Sequence, residues 1–170
     1  IKKEKIATLI MGGPNKYYNF DEKSIEQIFL RIYNIFIKKG FQLIFIPSFR
    51  TPQNIINLAK KYFDKNQLII TEVDKKAYLS ALKLSNYIIV TCDSTSMISE
   101  AAMTGKPIYV AQMTPVKKNS RFRKFFRLFK SLNIIKDLEN SLETWNYNKL
   151  NETDRISGYI KEKLKNYDFS

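Results

Sequence analysis

The sequence contains no histidine, and that absence removes a large share of enzyme chemistry. Without imidazole there is no Ser-His-Asp or Cys-His machinery within this chain, no HExxH zinc helix and no histidine general base. A single cysteine, Cys92, excludes an internal disulfide and any multi-cysteine zinc or iron–sulfur site, and it fits a reducing compartment. Glycine is scarce, at five residues. Neither GxGxxG nor GxxxxGK[ST] occurs, which argues against a nicotinamide dehydrogenase and a P-loop ATPase. There is no GxSxG elbow for a hydrolase serine and no Asp-x-Asp pair to hold a cation. No apolar run approaches the roughly 18–20 residues of a membrane span, and no signal-peptide pattern precedes the first apolar run. These last two absences lead us to expect a cytoplasmic location.

Acidic residues are also few: 16 Asp+Glu stand against 29 Lys+Arg, a formal charge of +13. Such an excess has three ordinary meanings, namely an anionic ligand, an anionic membrane surface or nucleic acid. The 170 residues suit one domain, and 44% hydrophobic with 14% aromatic content places the chain among folded proteins. It starts at Ile1 rather than Met, so we expect N-terminal sequence to be missing.

Five short runs rich in Ile, Leu and Val recur at Ile6–Met11, Phe41–Ile46, Leu68–Ile70, Tyr87–Thr91 and Pro107–Ala111. None alternates strictly with polar residues, so each reads as a strand buried on both faces. Helical spacing fills the intervals. Ile25, Ile28, Phe29, Ile32, Ile35 and Phe36 form one stripe, with Asp21 and Ser24 as capping candidates and Gly40 as the stop. Pro52 opens a second helix to about Tyr62, Ala77–Leu84 suggests a third, and Thr95–Met103 a fourth. This alternation predicts an α/β domain, a doubly wound, Rossmann-like, five-stranded parallel sheet. In such sheets ligands bind beyond the carboxyl ends of the strands where strand order reverses. With order 3-2-1-4-5 that crevice lies between strands 1 and 4, beside Gly12–Asn15, Pro47–Thr51 and Thr91–Ser96.

The most informative segment runs Thr91-Cys92-Asp93-Ser94-Thr95-Ser96-Met97-Ile98-Ser99-Glu100 and on to Gly105-Lys106-Pro107. A strand ends, small hydroxyl residues cross the turn, and a helix opens with its free N–H groups toward the crevice. Such a terminus suits a diphosphate, and Ser94, Thr95 and Ser96 add donors without blocking approach. Glu100 follows Ser96 by four residues on the same face, where a carboxylate can accept hydrogen bonds from the two vicinal hydroxyls of a ribose. The plainer alternative is that the hydroxyls only cap the helix and Glu100 is solvated. A capping box, however, needs Ser or Thr where Met97 stands.

Gly12-Gly13-Pro14 permits a ligand to approach the backbone closely, or is simply a structural turn. Arg50 ends strand 2, where its fork of donors could meet a diphosphate or simply sit on the surface between two prolines. Asp93 lies near the same loops, and Cys92 reads as a packed small residue rather than a reactive thiol. Residues 117–130 hold seven basic side chains and no acidic one. Within them, Phe122, Phe125, Phe126, Phe129 and Leu132 form one helical stripe, with Arg121, Arg123, Lys124 and Arg127 elsewhere on the helix 120–132. Such a helix docks on its own or a partner domain, or lies on an anionic membrane as a peripheral contact. Nucleic acid is the least favoured partner, because stacking on bases would take the phenylalanines from packing. A further amphipathic segment, Asp154–Leu164, follows, and residues 117–170 read as a helical C-terminal extension of one domain spanning 1–170.

The segment Val90–Ala101 with Gly105-Lys106-Pro107-Ile108-Tyr109-Val110 resembles the signature of the mitochondrial-fission "elongate mitochondria" family, whose bacterial members are often labelled nucleoside-diphosphate-sugar epimerases. Gly12-Gly13-Pro14, Pro47–Pro52, Arg121–Phe126, Leu142-Glu143-Thr144-Trp145 and Asp154-Arg155 follow in that family's order. The family resembles GT-B glycosyltransferases, in which the second of two facing Rossmann-like domains holds the sugar nucleotide. The resemblance implies that this chain is the C-terminal half and that its partner domain, with acceptor site and catalytic base, lies in the missing N-terminal half. It also implies a nucleotide-sugar donor at Ser94–Ser96 and Glu100, with no separate cofactor. The other reading is a non-catalytic scaffold that contacts a membrane or partner protein through the basic helix.

Overall fold

The computed structural model describes residues 5–150. Along the chain run β1 (Ile6–Met11), α1 (Glu22–Ile35), β2 (Gln42–Pro47), α2 (Gln53–Tyr62), β3 (Leu68–Ile69) and α3 (Lys75–Leu84), then β4 (Tyr87–Thr91), α4 (Thr95–Ala102), β5 (Ile108–Ala111), α5 (Ser120–Ser131) and β6 (Ile135–Asp137). The strands form one sheet in the order β3-β2-β1-β4-β5-β6, and every neighbouring pair is parallel. The doubly wound α/β fold is therefore as the sequence predicts, with one correction: the sheet has six strands, not five. β6 lacks an apolar run because it is a three-residue edge strand whose Lys136 and Asp137 are only half-buried. With β6 and the irregular stretch after it, the described part of 117–170 is not purely helical. The Asp154–Leu164 segment lies outside the described residues.

The central strands β1, β2, β4 and β5 are buried at every position, as expected of a sheet covered on both faces. α1 starts where Asp21 accepts a hydrogen bond from the Ser24 amide at 2.9 Å, and it buries Ile25, Ile28, Phe29, Ile32 and Ile35. Gly40, at φ 85°, ends the short turn that follows. The phenylalanine stripe of α5 is core: Phe122, Phe125, Phe126 and Phe129 are buried, Phe125 and Phe129 stack at 4.1 Å, and Phe122 meets Tyr17 and Tyr18 edge-on at 5.5 Å. The segment around Thr144 and Trp145 closes the sheet away from the crevice. There Thr144 hydrogen-bonds Tyr87 at 2.6 Å, and Trp145 packs edge-on to Tyr109 at 5.1 Å. Among the described residues no helix is long and apolar enough to cross a membrane.

Candidate functional site

The strand order places the carboxyl ends of β1 and β4 side by side, which is the reversal point of the sheet. A hydrogen-bond network ties the three loops leaving β1, β2 and β4. The Gly12 amide donates to Thr91 Oγ1 at 2.8 Å, and that hydroxyl donates to Asp93 Oδ1 at 2.6 Å. Asp93 Oδ2 accepts from the Gly13 amide at 3.2 Å and from Arg50 Nη2 at 2.7 Å. Arg50 Nη1 donates to the Gly13 carbonyl at 2.6 Å. Asn15 completes the knot, its amide reaching the Asp93 carbonyl at 3.2 Å while its Oδ1 accepts from the Tyr17 and Tyr18 amides.

These contacts explain the glycines locally. A Cβ on Gly12 would stand 2.1 Å from Asp93 Oδ2, and one on Gly13 would stand 1.9 Å from the Arg50 carbonyl oxygen. Pro14 continues the turn, its carbonyl 3.4 Å from Arg50 Nη1. Arg50 thus does not present an open fork to the crevice; its terminal nitrogens are occupied by Asp93 and two carbonyls. The Asp93 side chain is wholly buried beneath it.

α4 begins at the Ser94 cap, whose hydroxyl accepts from the Met97 amide at a long 3.4 Å and lies 3.3 Å from Ser96 Oγ. The Ile98 amide reaches the Ser94 carbonyl at 3.3 Å, so the amides of Thr95 and Ser96 precede the first intrahelical bond. Ser94 is buried, Thr95 half-buried and Ser96 exposed. One turn on, Glu100 is exposed and accepts from the Tyr78 hydroxyl at 2.7 Å. Burial first, and then this bond to Glu100, pushes the Tyr78 hydroxyl well above the ordinary tyrosine range, so it stays a donor. Tyr78 carries no motif in the sequence. Only the packing of α3 beside α4 brings it to Glu100.

Beside α4 opens a cleft of about 1000 Å³. Its lining includes Ile10 of β1, Pro47 at the end of β2 with Ser48 and Phe49 after it, Val73–Lys75 leading into α3 with Tyr78 and Leu79 on it, and Met97 and Glu100 of α4 with Met103 just beyond. The lining is mainly apolar, with the Glu100 carboxylate among few polar groups. Ser94–Ser96 stand outside this lining, one turn nearer the helix start. The sequence therefore pointed to Glu100 on the α4 side and to the Pro47–Thr51 loop, without singling out Phe49 within it, and gave no sign of the α3 wall.

Cys92 is buried and accepts from the Met113 amide at 3.3 Å; burial dominates in pushing its thiol up to about 12. The basic residues of α5 lie apart from the cleft: Arg123, Lys124 and Arg127 are exposed and Arg121 half-buried. Among the described residues no cluster of three or more His, Cys, Asp or Glu side chains could hold a metal.

Comparison with known proteins decides the family. The family model for mitochondrial fission ELM1 matches residues 2–164. The chain belongs to the ELM1 family. An uncharacterized protein of Rickettsia prowazekii, RP120, is 32% identical over 95% of this chain and 48% of its own length. Mitochondrial fission protein ELM1 of Arabidopsis thaliana is 27% identical over 94% of this chain and 38% of its own. The chain thus spans less than half the length of these two relatives. Among solved structures, a UDP-GlcNAc 2-epimerase from Neisseria meningitidis bound to UDP-GlcNAc matches with a TM-score of 0.52 at 15% identity, over 98% of this chain and 37% of that one. A putative UDP-N-acetylglucosamine 2-epimerase from Listeria monocytogenes gives 0.55 at 13%, over 97% and 47%. At such identities the likeness is one of fold: this chain shares a Rossmann-type α/β domain with these structures.

Proposed function

We propose that this chain is the nucleotide-sugar-binding half of a GT-B-type glycosyltransferase that needs no metal. The observation that carries the reading is Glu100: it stands in a mainly apolar cleft between α3 and α4 at the carboxyl ends of β1 and β2, one turn beyond a helix start rich in small hydroxyls. The base occupies the cleft, the ribose hydroxyls donate to Glu100, and the diphosphate runs toward the amides of Thr95 and Ser96 with the hydroxyls of Ser94–Ser96. When the glycosyl carbon–oxygen bond breaks, those fixed donors stabilise the negative charge left on the diphosphate. Gly12, Gly13, Pro14 and Asp93 shape the loop beside the ligand. Arg50, its charge offset by Asp93, fixes the shape of these loops rather than offering a free fork. The likeness to epimerase structures, one described as bound to UDP-GlcNAc, supports a nucleotide-sugar ligand. The half length relative to family members supports placing the acceptor site and the catalytic base in the other half.

Thermal shift with a panel of nucleoside diphosphates and their sugars tests this reading. A ligand at about 100 times its Kd adds about 2.7 kcal/mol, which is several degrees for a domain of this size. Glu100→Ala abolishes most of that shift; no shift with any nucleotide in the full-length protein, or a shift untouched by Glu100→Ala, rejects the site.

A second reading rests on α5, which keeps its phenylalanines inside and turns Arg123 and Arg127 outward. In it, the fold is a scaffold whose basic face meets an anionic membrane surface or an acidic partner by charge alone, since the aromatic face is already used. Sedimentation with anionic vesicles that is unaffected by salt and by Arg123→Ser with Arg127→Ser would reject that contact.

A further inference from the structure

Phe49 is 92% exposed, whereas every other phenylalanine among the described residues is buried. Its exposure does not come from a loose loop. The Ser48 amide donates to the Met11 carbonyl at 3.0 Å and to Thr51 Oγ1 at 2.8 Å, and Thr51 Oγ1 in turn lies 2.8 Å from both the Met11 and Gly12 carbonyls. Arg50, the next residue, is clamped on Asp93 and Gly13. Both chain neighbours of Phe49 are therefore fixed, and Phe49 lines the same cleft as Glu100. So exposed a ring contributes little to the core, and its place in the lining of the cleft leaves it free to contact a ligand there.

We infer that Phe49 is the stacking platform for the nucleobase. This rests on the nucleotide reading above and adds to it the residue that recognises the base. The cleft combines what a nucleoside needs: an exposed flat apolar ring, apolar walls from Val73 and Leu79, and a carboxylate for a vicinal diol. Stacking is tolerant of base identity, because every base offers a π-face. Phe49 thus sets the contribution of the base as a class, and the polar edge contacts that choose among bases fall to other groups.

The test is calorimetric titration of the full-length protein with UDP, ADP, GDP and inorganic pyrophosphate. Phe49→Ala weakens all three nucleotides by roughly 10-fold and leaves pyrophosphate unchanged, while Phe49→Tyr and Phe49→Trp keep nucleotide affinity. A substitution so exposed does not threaten the fold. Nucleotide affinity unchanged in Phe49→Ala overturns the platform while leaving the site intact. Equal weakening of pyrophosphate also overturns it, since the effect would then come from the loop. Wild-type protein that binds none of the nucleotides overturns the underlying site as well.

Discussion

Arg50 Nη2 lies 2.7 Å from Asp93 Oδ2, with the arginine side chain 41% exposed and the aspartate side chain wholly buried. The pair is unequal, and so are the consequences of breaking it. Removing the arginine strands a carboxylate in the interior with only the Gly13 amide and Thr91 hydroxyl as donors; removing the aspartate lets the guanidinium turn to water. Arg50→Ala is therefore expected to cost about 2–4 kcal/mol in urea unfolding. The double variant Arg50→Ala with Asp93→Asn should be more stable than Arg50→Ala alone. A double variant less stable than the single one would show that the buried charge is not what Arg50 neutralises.

The glycines divide by cause. A methyl group on Gly13 meets the Arg50 carbonyl, which belongs to a backbone held by the same network and cannot move without breaking it. Gly40 faces open space, and its φ of 85° costs an L-residue only about 1–2 kcal/mol. Gly13→Ala should thus lower the midpoint of thermal unfolding by more than Gly40→Ala does. It should also disturb the amide signals of Thr91 and Asp93, tens of residues away in sequence, in a heteronuclear NMR spectrum. Equal midpoints would mean that the turn after β1 relaxes freely.

These two cases show what a sequence carries and what it does not. The buried strands, the α1 stripe and the α4 start were legible because each is a local pattern in apolar spacing or capping chemistry. β6 was not, because an edge strand of three residues with two polar side chains has no such pattern. The Gly-Gly-Pro turn was visible, but its immediate contacts were not: the glycines make room for Arg50 and Asp93, a fact of tertiary approach. The Pro47–Thr51 loop was placed beside the crevice, but the exposure of Phe49 within it leaves no mark in the sequence. Tyr78 escaped for the same reason, since a tyrosine on α3 gains meaning only when Glu100 comes within hydrogen-bond reach.

That tyrosine yields a prediction about binding. Tyr78 donates to Glu100 Oε2 and holds the carboxylate at the cleft, leaving its other oxygen for a ligand. In Tyr78→Phe the carboxylate loses its anchor, and nucleoside diphosphates should bind several-fold more weakly, about 1 kcal/mol for one hydrogen bond to a charged group. Affinity for 2′,3′-dideoxynucleotides, which offer Glu100 no diol, should not change between wild type and variant. Titration with matched ribo- and dideoxynucleotides checks this, and equal losses for both would place the effect of Tyr78 outside the ribose contact.

Alkaline solution should destabilise the protein through Cys92. Burial lifts its thiol from 9.0 to about 12, so above pH 9 the unfolded chain releases a proton that the folded chain retains. Unfolding is then favoured as pH rises: the stability present below pH 9 is lost progressively between pH 9 and about 12, at up to ~1.4 kcal/mol per pH unit for this one group. Tyr18, whose hydroxyl is also pushed up by burial and by the neighbouring Cys92 and Asp93, acts in the same direction beginning near pH 10. Cys92→Ala removes the first contribution and lessens the second. Its unfolding midpoint, followed from pH 7 to 11, should lie below that of wild type at neutral pH because packing is lost, and the gap should narrow from pH 9 upward. Parallel curves across that range would show that the thiol ionises alike in the folded and unfolded chain.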